Sequence, residues 1–196
     1  MIVRTPSGDV TTFDYRERAP GKATRTMYLD ASGNIQRALT DAGYLAPGVP
    51  GTVRGLEMAH KEVGKLPGKE ADLPSVALAD GFPVSAALAR SLNRELAGPM
   101  AKFPASVAAF GKPGGGEWVE GDRLVQTDLA KTLRAIASSG PDAFYKGPIA
   151  DLIAEDMKAN GGLISKKDLK AYRAKERKPV RVTYKGYEII SMPPAS

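Results

Sequence analysis

The 196 residues are 42% hydrophobic and 26% charged, an ordinary globular composition that excludes wholesale disorder. The absence of cysteine excludes disulfides, thiolate metal sites and a cysteine nucleophile, and no apolar run is long enough to span a membrane. The formal charge is +6, but the signs alternate except between Lys166 and Arg181. That run reads as a solvated helix face and loop, because no base-stacking aromatics interleave it and no nucleic-acid motif accompanies it.

In chain order, Ile2-Val3 and Val10 to Tyr15 flank the turn Pro6-Ser7-Gly8-Asp9 and predict a β-hairpin. Met1 to Arg4 lead directly into that polar turn and are not expected to be a signal peptide. Arg16 to Pro47 have poor periodicity and read mostly as loop. Val53, Leu56, Ala59 and Val63 predict a helix that Gly64 stops. Pro74 is expected to open a short second helix, and Ser85 to cap a third that carries Leu88, Leu92 and Leu96. Ala105 to Phe110 are ambiguous, and Gly111 to Gly116 form a loop. Leu129, Leu133, Ile136 and Ala137 make the clearest apolar stripe, ended by Gly140-Pro141. Ile149, Ile153 and Met157 repeat it as far as Asn160-Gly161-Gly162. Ser165 and Asp168 form an acidic variant of the capping box. Val180 to Tyr184 and Tyr187 to Ile190, joined by Lys185-Gly186, predict a closing hairpin.

About six amphipathic helices between two hairpins make an α+β, predominantly helical chain. Hairpins need three or more strands for stability, so both are expected to belong to a sheet whose other strands are absent. Met192-Pro193-Pro194-Ala195-Ser196 are expected to leave that sheet without a terminal element.

Few residues invite chemistry. His60 is the only histidine, and a zinc site needs three or four ligands; it reads as a partly exposed helix residue. Its place in a Ser-His-Asp triad would require a serine in a nucleophile elbow, which is not seen. Gly111-Lys112-Pro113-Gly114-Gly115-Gly116 lacks the Lys-Ser/Thr and following helix of a phosphate loop. Asp151 and Glu155 share a helix face at four-residue spacing, which a hard cation would accept, but a solvated face is the simpler reading. Arg16, at the end of a predicted strand within Asp14-Tyr15-Arg16-Glu17, could aim a two-pronged donor at a carboxylate or pair with Asp14 or Glu17 on the surface.

Several segments together resemble the large subunit of γ-glutamyltranspeptidases (glutathione hydrolases). They are Phe13 to Pro20 with Ala23 to Asp30, Val49 to Leu56, Gly121 to Leu133, Gly140 to Ala150, Asn160 to Ile164, Asp168 to Tyr172, and Tyr184 to Tyr187 leading to Met192-Pro193-Pro194. Their order and spacing cover nearly the whole chain. The resemblance implies an N-terminal-nucleophile hydrolase with a four-layer αββα fold, self-cleaved into large and small subunits. A threonine at the new N-terminus would be the nucleophile and its own amine the base, cleaving γ-glutamyl amides such as glutathione through an acyl-enzyme and passing the acyl group to water or to an amino acid or peptide.

On that resemblance, residues 1–196 are a partial large-subunit segment, without the N-terminal part and the whole small subunit. Met1 is an internal methionine, and the nucleophilic threonine lies outside the chain. No catalytic residue is therefore assigned here, nor any metal or cofactor. The expected partner is the small subunit of the same precursor, and family resemblance implies a periplasmic or extracellular location. One functional residue carries over: Arg16, which would bind the α-carboxylate of the γ-glutamyl group. Arg18, where the family often has a neutral residue, is a departure that would either add positive charge or lie outside the pocket. Gly51, Gly55 and Gly161 are assigned to structure. A cephalosporin-acylase-like hydrolase of the same superfamily and a non-catalytic helical binding module are the alternatives.

Overall fold

The computed structural model describes residues 1–194; Ala195 and Ser196, part of the predicted exit after the second hairpin, lie outside the described residues. The strands are β1 (Ile2–Arg4), β2 (Val10–Asp14), β3 (Phe82–Pro83), β4 (Arg123–Leu124), β5 (Lys175–Arg177), β6 (Val180–Tyr184) and β7 (Tyr187–Ser191). The helices are α1 (Arg37–Asp41), α2 (Thr52–Val63), α3 (Gly68–Ala79), α4 (Ala86–Ala97), α5 (Pro104–Phe110), α6 (Thr127–Ser139), α7 (Asp142–Tyr145), α8 (Pro148–Ala159) and α9 (Lys166–Ala171). The three beyond the expected six are α1, α5 and α7, all too short to show an apolar period. The apolar stripes are buried in two separate units: Met1–Leu66 together with the residues from Pro141 onward, and Pro67–Gly140.

In the second unit, Val84, Ala89, Leu92, Trp118 and Leu124 form the core. Ser85 caps α4 as predicted, its hydroxyl accepting the Leu88 N–H at 3.2 Å. The buried Trp118 donates its indole N–H to the Phe110 carbonyl at 2.9 Å, and the Asn93 amide closes two hydrogen bonds with the Trp118 backbone. Such pairing is what a buried polar edge requires. The expected start at Pro74 is wrong: the helix begins after Pro67, and Pro74 lies inside it. A proline in a helix interior removes one backbone hydrogen bond, and α3 accommodates that loss and continues through Pro74 to Ala79. The glycine-rich loop is a loop, tied down by Lys112, which pairs with Asp122 at 2.7 Å.

In the first unit, Val49, Tyr145, Ala150, Ile164, Leu169 and Tyr172 form a core flanked by Val53, Phe144, Ile153 and Met157. The capping box of α9 is complete. The closing hairpin has both loop residues at positive φ, Lys185 at 49° and Gly186 at 81°, the geometry that matches strand twist in a two-residue turn. Among the described residues β6 and β7 pair only with each other. The opening hairpin differs from expectation, because its third strand comes from within the chain. The sheet order is β1-β2-β5, all antiparallel. Lys175-Glu176-Arg177 lies within the basic run and has no apolar alternation to mark it as a strand.

The β2–β5 junction carries a buried acid. Asp14 faces Lys175 in register, and its Oδ2 accepts from Arg177 Nε at 2.7 Å on the diagonal. Burial pushes the Asp14 carboxyl up, but hydrogen bonds from Arg177 and from the Arg16 backbone outweigh burial and hold it below its ordinary value. A carboxylate whose folded pKa is depressed stabilises the fold above its unfolded pKa and loses that contribution as pH falls through the folded value.

Glycine permits a second close approach. Gly51, at the N-cap of α2, and Gly55, in its first turn, are buried. A Cβ on Gly55 would overlap the Tyr15 side chain, and one on Gly51 would overlap the Tyr172 hydroxyl and the Tyr15 carbonyl. The contact thus brings α2 against the segment that leaves β2, in agreement with the structural role expected for both glycines.

Two outcomes are expected in chemical denaturation. Helix propensity alone would make Gly55→Ala stabilising by about 1 kcal/mol, whereas the overlap with Tyr15 predicts a net loss of about 1–3 kcal/mol; an unchanged or raised stability would contradict the packing. The stability advantage of the wild type over Asp14→Asn should be full near neutral pH and shrink as pH falls below 3.8, the ordinary aspartate value. A gap that is constant with pH would remove the charged pair from the account.

Candidate functional site

The segment that leaves β2 is held by residues remote in sequence. Phe13 is wholly buried, and Thr12 donates its hydroxyl to the Arg177 carbonyl at 2.5 Å. Past the strand, Asp14 Oδ1 accepts the Arg16 N–H at 3.1 Å, a side-chain-to-backbone bond two residues on that turns the chain. The Arg16 carbonyl accepts the Tyr172 hydroxyl at 2.7 Å. Both backbone polar groups of Arg16 are therefore paired, one from each side.

The side chain of Arg16 is 54% exposed. Among the described residues its guanidinium pairs only with Glu17, at 3.4 Å, a long surface contact of the kind that contributes little. Arg16 lines a cavity of about 330 Å³ with Asp14, Tyr15, Glu17, Thr52 and Met192. A planar guanidinium with five N–H donors, carried on a fixed backbone beside a cavity, is suited to bidentate binding of a carboxylate.

Tyr172 is itself buried, at 3% exposure, and its ring stacks on Tyr145 with centroids 6.0 Å apart. Burial, with the neighbouring Tyr145, pushes the Tyr172 hydroxyl up to about 12, so at neutral pH it is a proton-bearing donor. Tyr145 donates to the Pro50 carbonyl at 2.9 Å and accepts the Arg54 N–H at 3.3 Å. The two phenols thus tie the entry of α2 and the exit of β2 into one core. Arg54 lies over the Tyr145 ring, 4.7 Å from its centroid, and pairs with Glu57 at 2.9 Å and with Asp142.

The other candidates fall elsewhere. Arg18 does not line the cavity: its backbone exchanges hydrogen bonds with Val49, and its guanidinium lies over the Tyr172 ring at 5.4 Å. His60 is half-buried, with Nε2 2.7 Å from the Leu66 carbonyl, a local contact rather than a triad. Asp151 is paired with Lys166, and among the described residues no group of three or more metal-binding side chains converges. In the basic run, Arg177 is the exception to a purely solvated face, since it pairs with the buried Asp14. Sequence reasoning missed Tyr172, Tyr145 and Arg177 as parts of the site. Tyr172 and Tyr145 stood inside recognised motifs, but nothing local showed that their hydroxyls reach across the core.

Known proteins match this arrangement along its whole length. The profile described as Gamma-glutamyltranspeptidase matches residues 1–196. A glutathione hydrolase proenzyme of Escherichia coli (strain K12) is 46% identical over 197 residues, covering 100% of this chain and 34% of the relative. An Acylase ACY 1 proenzyme of Pseudomonas sp. (strain SE83) is 41% identical, covering 99% of this chain and 36% of the relative. The solved γ-glutamyltranspeptidase of Helicobacter pylori superposes with a TM-score of 0.95 at 43% identity, covering 100% of this chain and 56% of that one. The chain spans about a third of the length of the curated relatives it matches. Its mixed, predominantly helical architecture is that of a piece of the γ-glutamyltranspeptidase fold within the N-terminal-nucleophile hydrolases, and the chain belongs to the γ-glutamyltranspeptidase family.

Proposed function

We propose that the protein to which these residues contribute cleaves γ-glutamyl amides such as glutathione and transfers the γ-glutamyl group to water or to amino acid and peptide acceptors. In this reading Arg16 binds the α-carboxylate of the γ-glutamyl group. The observation that carries it is an exposed guanidinium at a cavity, on a backbone whose N–H and carbonyl are both held, at the position where the family motif has its carboxylate-binding arginine. Lysine would be a poor replacement, because a point charge on a flexible stem does not reproduce the two-pronged geometry.

The chemical step belongs to a threonine at the N-terminus of a small subunit released from the same precursor. Its hydroxyl would attack the γ-carbonyl carbon, the C–N bond would break, and the amine that leaves would take the proton held by the threonine's own α-amine. Water or an acceptor amine would then attack the ester and release the acyl group. Arg16 supplies binding and orientation at the far end of the glutamyl moiety. The reading calls for no metal and no cofactor. It also includes export to the periplasm or beyond; no helix among the described residues is long and apolar enough to cross a membrane.

A second reading follows from the 41% identity to an acylase proenzyme: Arg16 would then bind the terminal carboxylate of a dicarboxylic acyl side chain. Substrate profiling of the intact protein separates the two, because a γ-glutamyl enzyme requires the α-amino acid end and a dicarboxylic acylase does not.

In the self-processed protein, Arg16→Lys should raise KM for a γ-glutamyl anilide about 10- to 100-fold, the loss of one good charge-assisted contact, while self-cleavage is retained. An unchanged KM would take Arg16 out of the pocket. The 196 residues by themselves should not hydrolyse the same anilide, and turnover by that purified polypeptide would contradict the assignment of the nucleophile to another segment.

A further inference from the structure

Resting on the reading of Arg16 as the carboxylate-binding residue, we infer that Tyr172 is a positioning residue for substrate binding, with the Asp14–Arg177 pair as its counterpart on the other side of the Arg16 backbone.

Four observations carry it. First, the Tyr172 hydroxyl donates to the Arg16 carbonyl at 2.7 Å from 156 residues away in sequence, so the bond fixes Arg16 against the body of the unit rather than within its own loop. Second, the Tyr172 ring is closely packed. It is buried, stacked on Tyr145 and covered by the Arg18 guanidinium, while Gly51 leaves no room beside its hydroxyl. Third, the opposite polar group of Arg16 is fixed by a side chain that is itself fixed: Asp14 accepts the Arg16 N–H and is held by Arg177, 163 residues distant. Fourth, among the described residues the Arg16 guanidinium has only the long, exposed pairing with Glu17.

A backbone pinned on both sides below a free guanidinium is a donor set in place before the ligand arrives. Preorganisation of this kind improves affinity by lowering the ordering cost of binding. Tyr172 acts on the ligand only through Arg16, so its loss should appear in binding rather than in the chemical step.

The test is a double-mutant cycle in the intact, self-processed protein, read as KM and kcat for a γ-glutamyl anilide. Tyr172→Phe removes one hydroxyl and keeps the ring stack. It should raise KM about 3- to 10-fold, the loss of one hydrogen bond expressed as affinity, with kcat changed by less than about twofold. In an Arg16→Lys background the same substitution should change KM by less than about twofold, because coupled residues are not additive. A purely structural role would move KM equally in both backgrounds or lower kcat instead, and either result overturns the inference. Should Tyr172→Phe fail to fold or process, Arg177→Gln tests the other side of the clamp with the same expected signature and the same overturning results. Where Arg16→Lys raises KM and the Tyr172 and Arg177 variants do not, the positioning inference alone falls. Where Arg16→Lys leaves KM unchanged, the reading of Arg16 falls and the inference with it.

Discussion

The hydrogen bond between the Tyr172 hydroxyl and the Arg16 carbonyl is the contact on which the rest of this site depends. A buried phenol must find a partner, since an unpaired one costs the full desolvation penalty of the group. Tyr172 is buried, and the carbonyl of Arg16, at the exit of β2, is the partner its hydroxyl meets. The requirement of the core and the requirement of the site are therefore met by one bond. The same economy holds at Asp14, which is buried and whose two oxygens are taken by the Arg16 backbone and by Arg177.

Close packing sets the geometry of that bond. Tyr15 lies on α2 where Gly55 has no side chain, and Tyr172 reaches Arg16 past Gly51. A larger residue at either position would push the helix away from the segment leaving β2 and lengthen the contact between them. The stacked tyrosines extend the restraint, because Tyr145 binds the Pro50 carbonyl and the first turn of α2 in the way that Tyr172 binds Arg16. Helix, strand end and phenol pair are thus joined by packing and hydrogen bonds. The guanidinium of Arg16 is the exposed part of this arrangement.

Much of this was legible in the sequence, and the boundary between what was and was not has a physical cause. The hairpins, the Ser85 cap, the Ser165–Asp168 box and the long helices follow from local signals that act over four residues or fewer. Arg16 could be named because its motif is local, and Gly51 and Gly55 because a tight turn and close helix packing are what glycine offers. The third strand of the sheet was not legible, because Lys175-Glu176-Arg177 has neither apolar alternation nor a flanking turn, and it pairs with β2 across most of the chain. Nor were the roles of Tyr172 and Arg177, whose partners stand more than 150 residues away. The start of α3 was not legible either, because proline is commonest in the first turn of a helix and this helix holds Pro74 in its interior.

The central claim is that Arg16, held by its backbone, recognises an α-carboxylate. The most direct measurement compares competitive inhibition of the self-processed protein by L-glutamate and by 4-aminobutanoate, which is glutamate without that carboxylate, in the wild type and in Arg16→Lys. The account predicts that the wild type prefers glutamate by about 10-fold or more, as a lost charge-assisted contact implies, and that Arg16→Lys removes most of the preference. An equal preference in both proteins would contradict it.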